Sequence, residues 1–507
     1  MKLVLPTATA LLALATAAHA ADLPRKAPVF KAPAMQVYDW TGFYLGANAG
    51  LGVGRNLTRS TIGPTGIPLL DERAHLSPFG AIGGAQIGYN WQFRNFYDLV
   101  LGVEADIQAS GQRDNFSCLI ACTAGVPNPT FSQSIDWFGT VRGRVGLATG
   151  PVLTYVTGGY AYGRVSTSTT PIAFDPTTLT STQNRDGYVL GSGVEAQLGG
   201  NWTGKLEYLY VDLGTQNIAG TIAATPVTGS GRIRDHVFRG GVNYLFGNNA
   251  GYTEPVADWS GFYLGGNVGS ILGRDRSNHT IPGAPQGSSY TLVPEGIIGG
   301  GQVGYSWQAG AWVFGVEADY QGTSAKDNKA CTIFCTTAAG IGIQANQTLP
   351  WLATVRGRIG YSVGSTLFYA TGGYAHGSTR TTLTEAFVPG GVATTIKSTL
   401  GGYAVGAGIE SPLQFAGLFG PNWTSKTEYL YVDLGRTSAA FTTLTLGPQT
   451  FTTRTQEHIF RTGINYHFSP RRSHRREVIV DAGAEDVLLR PRGERLWTQS
   501  QCGERGT

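Results

Sequence analysis

The sequence predicts an all-β protein made of two tandem eight-stranded transmembrane antiparallel β-barrels, and three observations carry that reading. The first is a duplication. WTGFYLGANAGLGVG (40–54) returns as WSGFYLGGNVGSILG (259–273), IGGAQIGYNWQ (82–92) as IGGGQVGYSWQ (298–308), and LGVEAD (101–106) as FGVEAD (314–319). The echo runs on in order through TVRGRVG (140–146) and TVRGRIG (354–360), YVTGGYAYG (155–163) and YATGGYAHG (369–377), KLEYLYVDLG (205–214) and KTEYLYVDLG (426–435), and HVFRGGVNYLF (236–246) and HIFRTGINYHF (458–468). The unit is roughly 220 residues, too long for a solenoid repeat, so each copy is a domain in itself. Second, every repeated block alternates apolar with small or polar residues over about ten positions, the pattern of a membrane-spanning strand. Third, no run of eighteen apolar residues occurs, so a chain that crosses lipid must do so as a closed barrel, which leaves no strand edge unpaired. A secreted sandwich is the rival, but 73 Gly and 11% aromatic residues suit barrel strands with interfacial girdles better than a packed core.

The elements follow in order. Residues 1–20 begin with Lys2, continue through LLALATAA and end in AHA, which reads as a signal peptide removed on export. Residues 21–38, rich in Ala, Pro and Lys, form an extended periplasmic lead-in. The first barrel repeat occupies 39–247, with strands near 42–54, 80–93, 99–110, 135–148, 151–164, 187–198, 202–213 and 236–246. Its connections 55–79, 111–134, 165–186 and 214–235 are long and polar, whereas 94–98, 149–150 and 199–201 are tight turns. Long loops outside and short turns in the periplasm is the outer-membrane rule. A periplasmic linker (248–257) precedes the second repeat (258–468), with strands near 261–273, 296–309, 311–323, 350–362, 366–379, 401–413, 422–434 and 458–468. The alternative is one merged sixteen-stranded barrel around a water-filled pore. A charged tail, 469–507, carries RRSHRR at 471–476 and contains Cys502.

Strand parity sorts the side chains. Val103 and Ala105 share one face while Glu104 and Asp106 share the other; Val141 and Val145 oppose Arg142 and Arg144. Lys205 and Glu207 oppose Leu206, Tyr208 and Tyr210, and Arg239 opposes Phe238, Val242, Tyr244 and Phe246. The second copy matches with Glu317, Asp319, Arg356, Arg358, Lys426, Glu428 and Arg461. Charge facing lipid costs several kcal/mol, so these groups point inward. An eight-stranded lumen is just wide enough to be filled by side chains, and buried charges must pair. Each lumen is therefore expected to be plugged.

Cys118 and Cys122, and at the aligned place Cys331 and Cys335, lie in long loops of an exported chain. Two local disulfides are the simplest expectation in an oxidising compartment. A metal site, with two ligands per copy and no aligned His nearby, is not expected, and no cofactor is implied. Of the eight His, His236 and His458 recur, beside Asp235 and Glu457, with no activating Ser motif. Rim hydrogen bonding or an interfacial anchor is the simpler role, and the chain is not expected to be an enzyme. The Gly-rich strings open no helix, and a net charge of +4 is too diffuse to imply nucleic acid.

WTGFYLGANAG, the GVEAD strand, TVRGRVG, TGGYAYG, EYLYVDLG and a last strand ending in Phe resemble the Omp25/Omp31-type outer-membrane β-barrels of alphaproteobacteria, which are related to the transmembrane domain of outer-membrane protein A. The resemblance covers both copies, about residues 38–468. It implies an integral surface protein of the outer membrane, contributing to envelope integrity and to contact with host or environment. Its implied partners are outer-membrane lipid and lipopolysaccharide, the barrel-assembly machinery, and surface ligands of host or environment. Some relatives are described as porins and some as haemin binders, so a porin for small solutes is the second reading and a rim-site enzyme a remote third. The chain departs from that family in its duplication and in the residues that follow Phe468.

Overall fold

The computed structural model describes residues 38–468, apart from 63–69, 118–129, 171–177, 223–224, 248, 250–251, 253–255, 281–287, 330–341, 387–390, 414–418 and 445–446. The expected signal peptide, nearly all of the lead-in, the four paired cysteines and the tail with Cys502 lie outside the described residues.

Alternating residues with small side chains at the crowded positions build long antiparallel strands. The first repeat contributes β1 (Gly42–Gly54), β2 (Asn56–Ile62), β3 (Leu70–Leu76), β4 (Phe79–Phe93), β5 (Leu99–Ser117), β6 (Thr130–Thr149), β7 (Val152–Thr170), β8 (Leu179–Gly199), β9 (Trp202–Ile222) and β10 (Thr225–Phe246). The second contributes β11 (Gly261–Gly273), β12 (Asp275–Thr280), β13 (Ser288–Leu292), β14 (Glu295–Ala309), β15 (Trp312–Lys329), β16 (Gly342–Val363), β17 (Thr366–Ala386), β18 (Ala393–Pro412), β19 (Trp423–Thr443) and β20 (Gly447–His467).

Each repeat closes on itself. β1 pairs with β4 on one side and β10 on the other, with Leu45 opposite Tyr244 and Val53 opposite His236. β11 sits likewise between β14 and β20, with Leu264 opposite Tyr466. These are two eight-stranded rings rather than one of sixteen. The tight turns lie where the sequence puts them: Thr149 pairs with Val152 and Val363 with Thr366, leaving two-residue turns. Gly150 and Gly364 take φ of 63° and 58° in them, a conformation that costs glycine nothing.

The outer segments differ from the expectation. Most of the described residues of 111–134, 165–186 and 214–235 are strand rather than loop, with β9 and β10 running on to Ile222 and from Thr225. These stretches are polar but rich in Thr, Val and Ile, and β-branched residues pleat as readily in water as in lipid. Segments 55–79 and 274–295 likewise hold the hairpins β2–β3 and β12–β13. β2 continues the β1 line along β10, with Thr58 opposite Gly231, after a break at Arg55. β4 is separated from β3 by Ser77 and Pro78, and Pro78 has no N–H to give a ladder. A strand of 21 residues such as β9 spans about 70 Å, far more than the apolar band of about 25 Å. Half of each barrel therefore stands outside the membrane.

The two rings touch through the same face of each, in reciprocal pairs. Tyr208 stacks on Phe460 at 5.7 Å, and its counterpart Tyr429 meets Phe238 at 5.1 Å. Arg55 Nε donates to Val293 O at 3.3 Å, while Arg274 Nε, its counterpart, donates to Ser77 O at 3.1 Å. Phe238, outward by parity, is thus covered by the second ring and not by lipid. Farther out, one buried cluster takes Leu76 and Phe131 from the first repeat and Tyr290, Leu292, Ile343, Leu383 and Phe451 from the second. The rings also pack at their periplasmic ends, Val152, Val194 and Ala196 of the first against Ile409 of the second, and their outer parts share a core.

Candidate functional site: the charged lumens

Inward parity concentrates charge at one level of each ring. Glu104 and Asp106 on β5, Arg142 and Arg144 on β6, Lys205 and Glu207 on β9 and Arg239 on β10 are all buried. Arg142 lies at the centre: its guanidinium reaches Asp106 and Glu207 at 3.0 Å each and also bonds Glu104. Arg239 joins Glu207 at 2.6 Å and Asp106 at 2.9 Å, and Lys205 joins Glu104 at 3.1 Å. The second ring repeats the pattern. Arg356 meets Glu317 at 2.6 Å and both Asp319 and Glu428 at 2.9 Å, Arg461 meets Glu428 at 2.7 Å, and Lys426 meets Glu317 at 2.8 Å.

Two further acids complete these sets. Glu195 on β8 binds Arg144 at 3.0 Å, and Glu410 on β18 binds Arg358 at 3.0 Å. Each network thereby balances, Glu104, Asp106, Glu195 and Glu207 against Arg142, Arg144, Lys205 and Arg239. Neither acid was picked out from the sequence, although both recur at aligned positions (GVEA, GIES) on the inward parity. Tyrosines fill the remaining room. Tyr44 donates to Glu104 at 2.8 Å and Tyr155 to Glu207 at 2.9 Å, with the Arg144 guanidinium 4.6 Å from the Tyr44 ring centre. A Cβ at Gly88 would lie 2.2 Å from the Tyr44 hydroxyl, so only glycine leaves that tyrosine its place.

Apolar and aromatic layers bracket the charges. Outward of them, Ile82, Phe138, Val189, Leu209 and Val237 pack across the first lumen, and Ile298, Leu352, Leu430 and Ile459 across the second. At the periplasmic end Trp40 is 1% exposed and donates Nε1–H to Gly150 O at 3.1 Å; Trp259 donates to Ser362 Oγ at 3.0 Å. Tyr38 packs edge-on against Trp40 at 5.0 Å. The end of the expected lead-in is therefore part of the barrel's interior. Periodicity missed this, because these residues precede the first strand and obey no strand parity.

His236 and His458 accept or donate at Nδ1 with the Tyr208 and Tyr429 hydroxyls, at 2.8 and 2.7 Å, on the face between the rings. Asp235 and Glu457, one residue earlier on a strand, point to the opposite face. The recurring His and its neighbouring acid are thus split between exterior and lumen. Among the described residues, no group of three or more His, Cys, Asp or Glu side chains is arranged to hold a metal ion.

The outer surface completes the picture of a membrane barrel. Phe43, Trp91, Phe93, Trp202 and Phe246 stand exposed at the periplasmic end of the first ring, with Val103, Ile107, Val141 and Val145 between them and Tyr160 and Tyr188. The sequence model of the outer membrane protein beta-barrel domain matches twice, over residues 7–246 and 252–468. The chain belongs to this outer-membrane β-barrel family. Similar proteins include the 31 kDa outer-membrane immunogenic protein of Brucella melitensis, 35% identical over 46% of this chain and 95% of that one. The 25 kDa outer-membrane immunogenic protein of the same species is 29% identical over 48% and 99%. The 22 kDa outer membrane protein of Rhizobium leguminosarum bv. viciae is 35% identical over 36% and 68%. Each Brucella relative aligns over nearly its whole length with about half of this chain, as expected of a chain that matches the family domain twice. The protein is located in the outer membrane.

Proposed function

We propose that this family member is a structural and surface-recognition protein whose lumens do not conduct. The observation that supports the reading is the paired burial of eight ionic groups in each ring, with Arg142 and Arg356 each bridging three carboxylates. An eight-stranded ring has room for its own side chains and little else. The apolar layer and the tryptophan at either end of the network leave water no favourable path. What the fold offers to other molecules is then its exterior: an apolar belt for outer-membrane lipid and lipopolysaccharide, and tall strands and loops for ligands of host or environment. The closing aromatic strand of each ring suits engagement by the barrel-assembly machinery. The role in this reading is to strengthen the envelope and make contacts outside it, and it assigns no catalysis.

Refolded full-length protein in planar bilayers tests this directly. The expected result is no steady current. Large, stable, ohmic conductance would overturn the reading and make the protein a porin for small solutes.

A further inference from the structure

The interiors of the two halves differ at one level, just outward of the apolar layer. The inward residues there are Asn56, Gln112, Ile233 and Asp235 in the first repeat, and Asp275, Ala325, Thr455 and Glu457 at the aligned positions of the second. In the first, Gln112 Nε2 donates to Asp235 Oδ1 at 2.7 Å, and Asn56 donates to Gln133. In the second, Ala325 has no donor to offer. Glu457 is 0% exposed, and neither of its carboxylate oxygens has a partner. Among the described residues, the charge that acts on Glu457 is Asp275, a second fully buried carboxylate. Asp275 accepts from Gln347 Nε2 at 2.6 Å and from Gln456 N at 2.8 Å.

Strand register brings these groups together. Gly273 pairs with Glu457 and Arg276 with Arg454, which sets Asp275 across from Thr455. Thr455 Oγ1 and Gln347 Oε1 are also buried without partners. Of the four differences between the repeats, Asp235 to Glu457 keeps a carboxylate and the other three act in one direction. Asn to Asp adds an anion, Ile to Thr adds an oxygen, and Gln to Ala removes the hydrogen-bond donor. Two buried carboxylates on neighbouring strands, with no cation paired to either among the described residues, are costly, and something positive must accompany them.

We propose that this cluster is a divalent-cation site, taking calcium through Glu457, Asp275, Gln347 Oε1 and Thr455 Oγ1. The donors are all oxygen, two carboxylates completed by an amide and a hydroxyl, which is hard-cation chemistry; the lack of imidazole or thiolate sets it apart from a zinc or copper site. The same level of the first ring, with one carboxylate held by an amide and an isoleucine beside it, offers no such set. The stoichiometry is therefore one ion per chain. This inference is independent of whether the lumens conduct.

The test is calorimetric titration of the full chain, refolded in detergent and stripped with EDTA, with calcium chloride. One saturable site is expected. Glu457→Gln should weaken it by about tenfold or more, as should Ala325→Gln, which returns the donor used in the first ring. Asp235→Asn should leave it unchanged, and heat-modifiable gel mobility confirms that each variant is folded. Two results would overturn the site. One is no saturable uptake up to about 10 mM, beyond the range of extracellular calcium sites, in which case the carboxylates share a proton. The other is uptake that survives both Glu457→Gln and Ala325→Gln.

Discussion

Arg142 shows how much one side chain can hold in so narrow a space. It is the common partner of Glu104, Asp106 and Glu207, so its removal strands three carboxylates at once. Breaking a buried ion pair by deleting one partner costs ~3–5 kcal/mol, because the charge left behind remains desolvated. Arg142→Ala should therefore lower the free energy of unfolding in urea by about that amount, followed by tryptophan fluorescence in detergent. Val141→Ala, one residue away but facing lipid, should change it by about 1 kcal/mol or less. In bilayers the Arg142 variant should show rare, brief openings rather than a stable pore. A loss no larger than that of Val141→Ala would mean that the network contributes little to holding the barrel together. Most of these lumen residues were readable from parity, since charge on a strand of alternating pattern can only face inward. Glu195 and Glu410 obey the same rule and were legible too. Trp40 and Trp259 were not, because they enter the lumen from a segment with no period.

At the level of elements, seven of the eight strands of each ring coincide with a repeated block, the exceptions being β8 and β18, and the tight turns fell within a residue or two of their observed positions. What composition concealed was strand length. Stretches such as the Ser- and Thr-rich 165–170 and the Gly-, Thr- and amide-containing 214–222 look like loops because loops are polar, yet a strand wetted on one face is polar too. The hairpins β2–β3 and β12–β13 escaped for the same reason, with Pro78 and Pro294 marking true breaks beside them. In sequence, the CxxxC pairs fall between β5 and β6 and between β15 and β16. Cys118–Cys122 and Cys331–Cys335 should each form a local disulfide in exported protein, and peptide mass spectrometry without reduction should recover both closed loops. Free thiols at all four positions would refute this.

On the scale of the molecule, each repeat contains its own closing pair, β1 with β10 and β11 with β20. Residues 38–247 alone should therefore fold in detergent and run on an unboiled gel as a compact, heat-modifiable band. If only the full chain gave such a band, the ring would depend on its neighbour. The duplication was the most legible feature of all, because it is written in the residues themselves. How the copies face one another was not, since Tyr208, Phe238 and their counterparts look like any girdle aromatic until a second surface covers them.

The reciprocal contact between the rings has a consequence for how the halves can change. Two copies joined through a linker as short as 248–257 meet at an effective concentration in the millimolar range, whatever the strength of their contact. Separate protomers would have to keep one self-complementary sequence, because every substitution would appear on both sides of the axis. Here a substitution appears once. The tether releases the pair from symmetry, and the interiors show the outcome: Gln112 faces Asp235 in one ring, while Ala325 lies near Glu457 in the other. Covalent linkage thus lets a twofold architecture evolve two different insides.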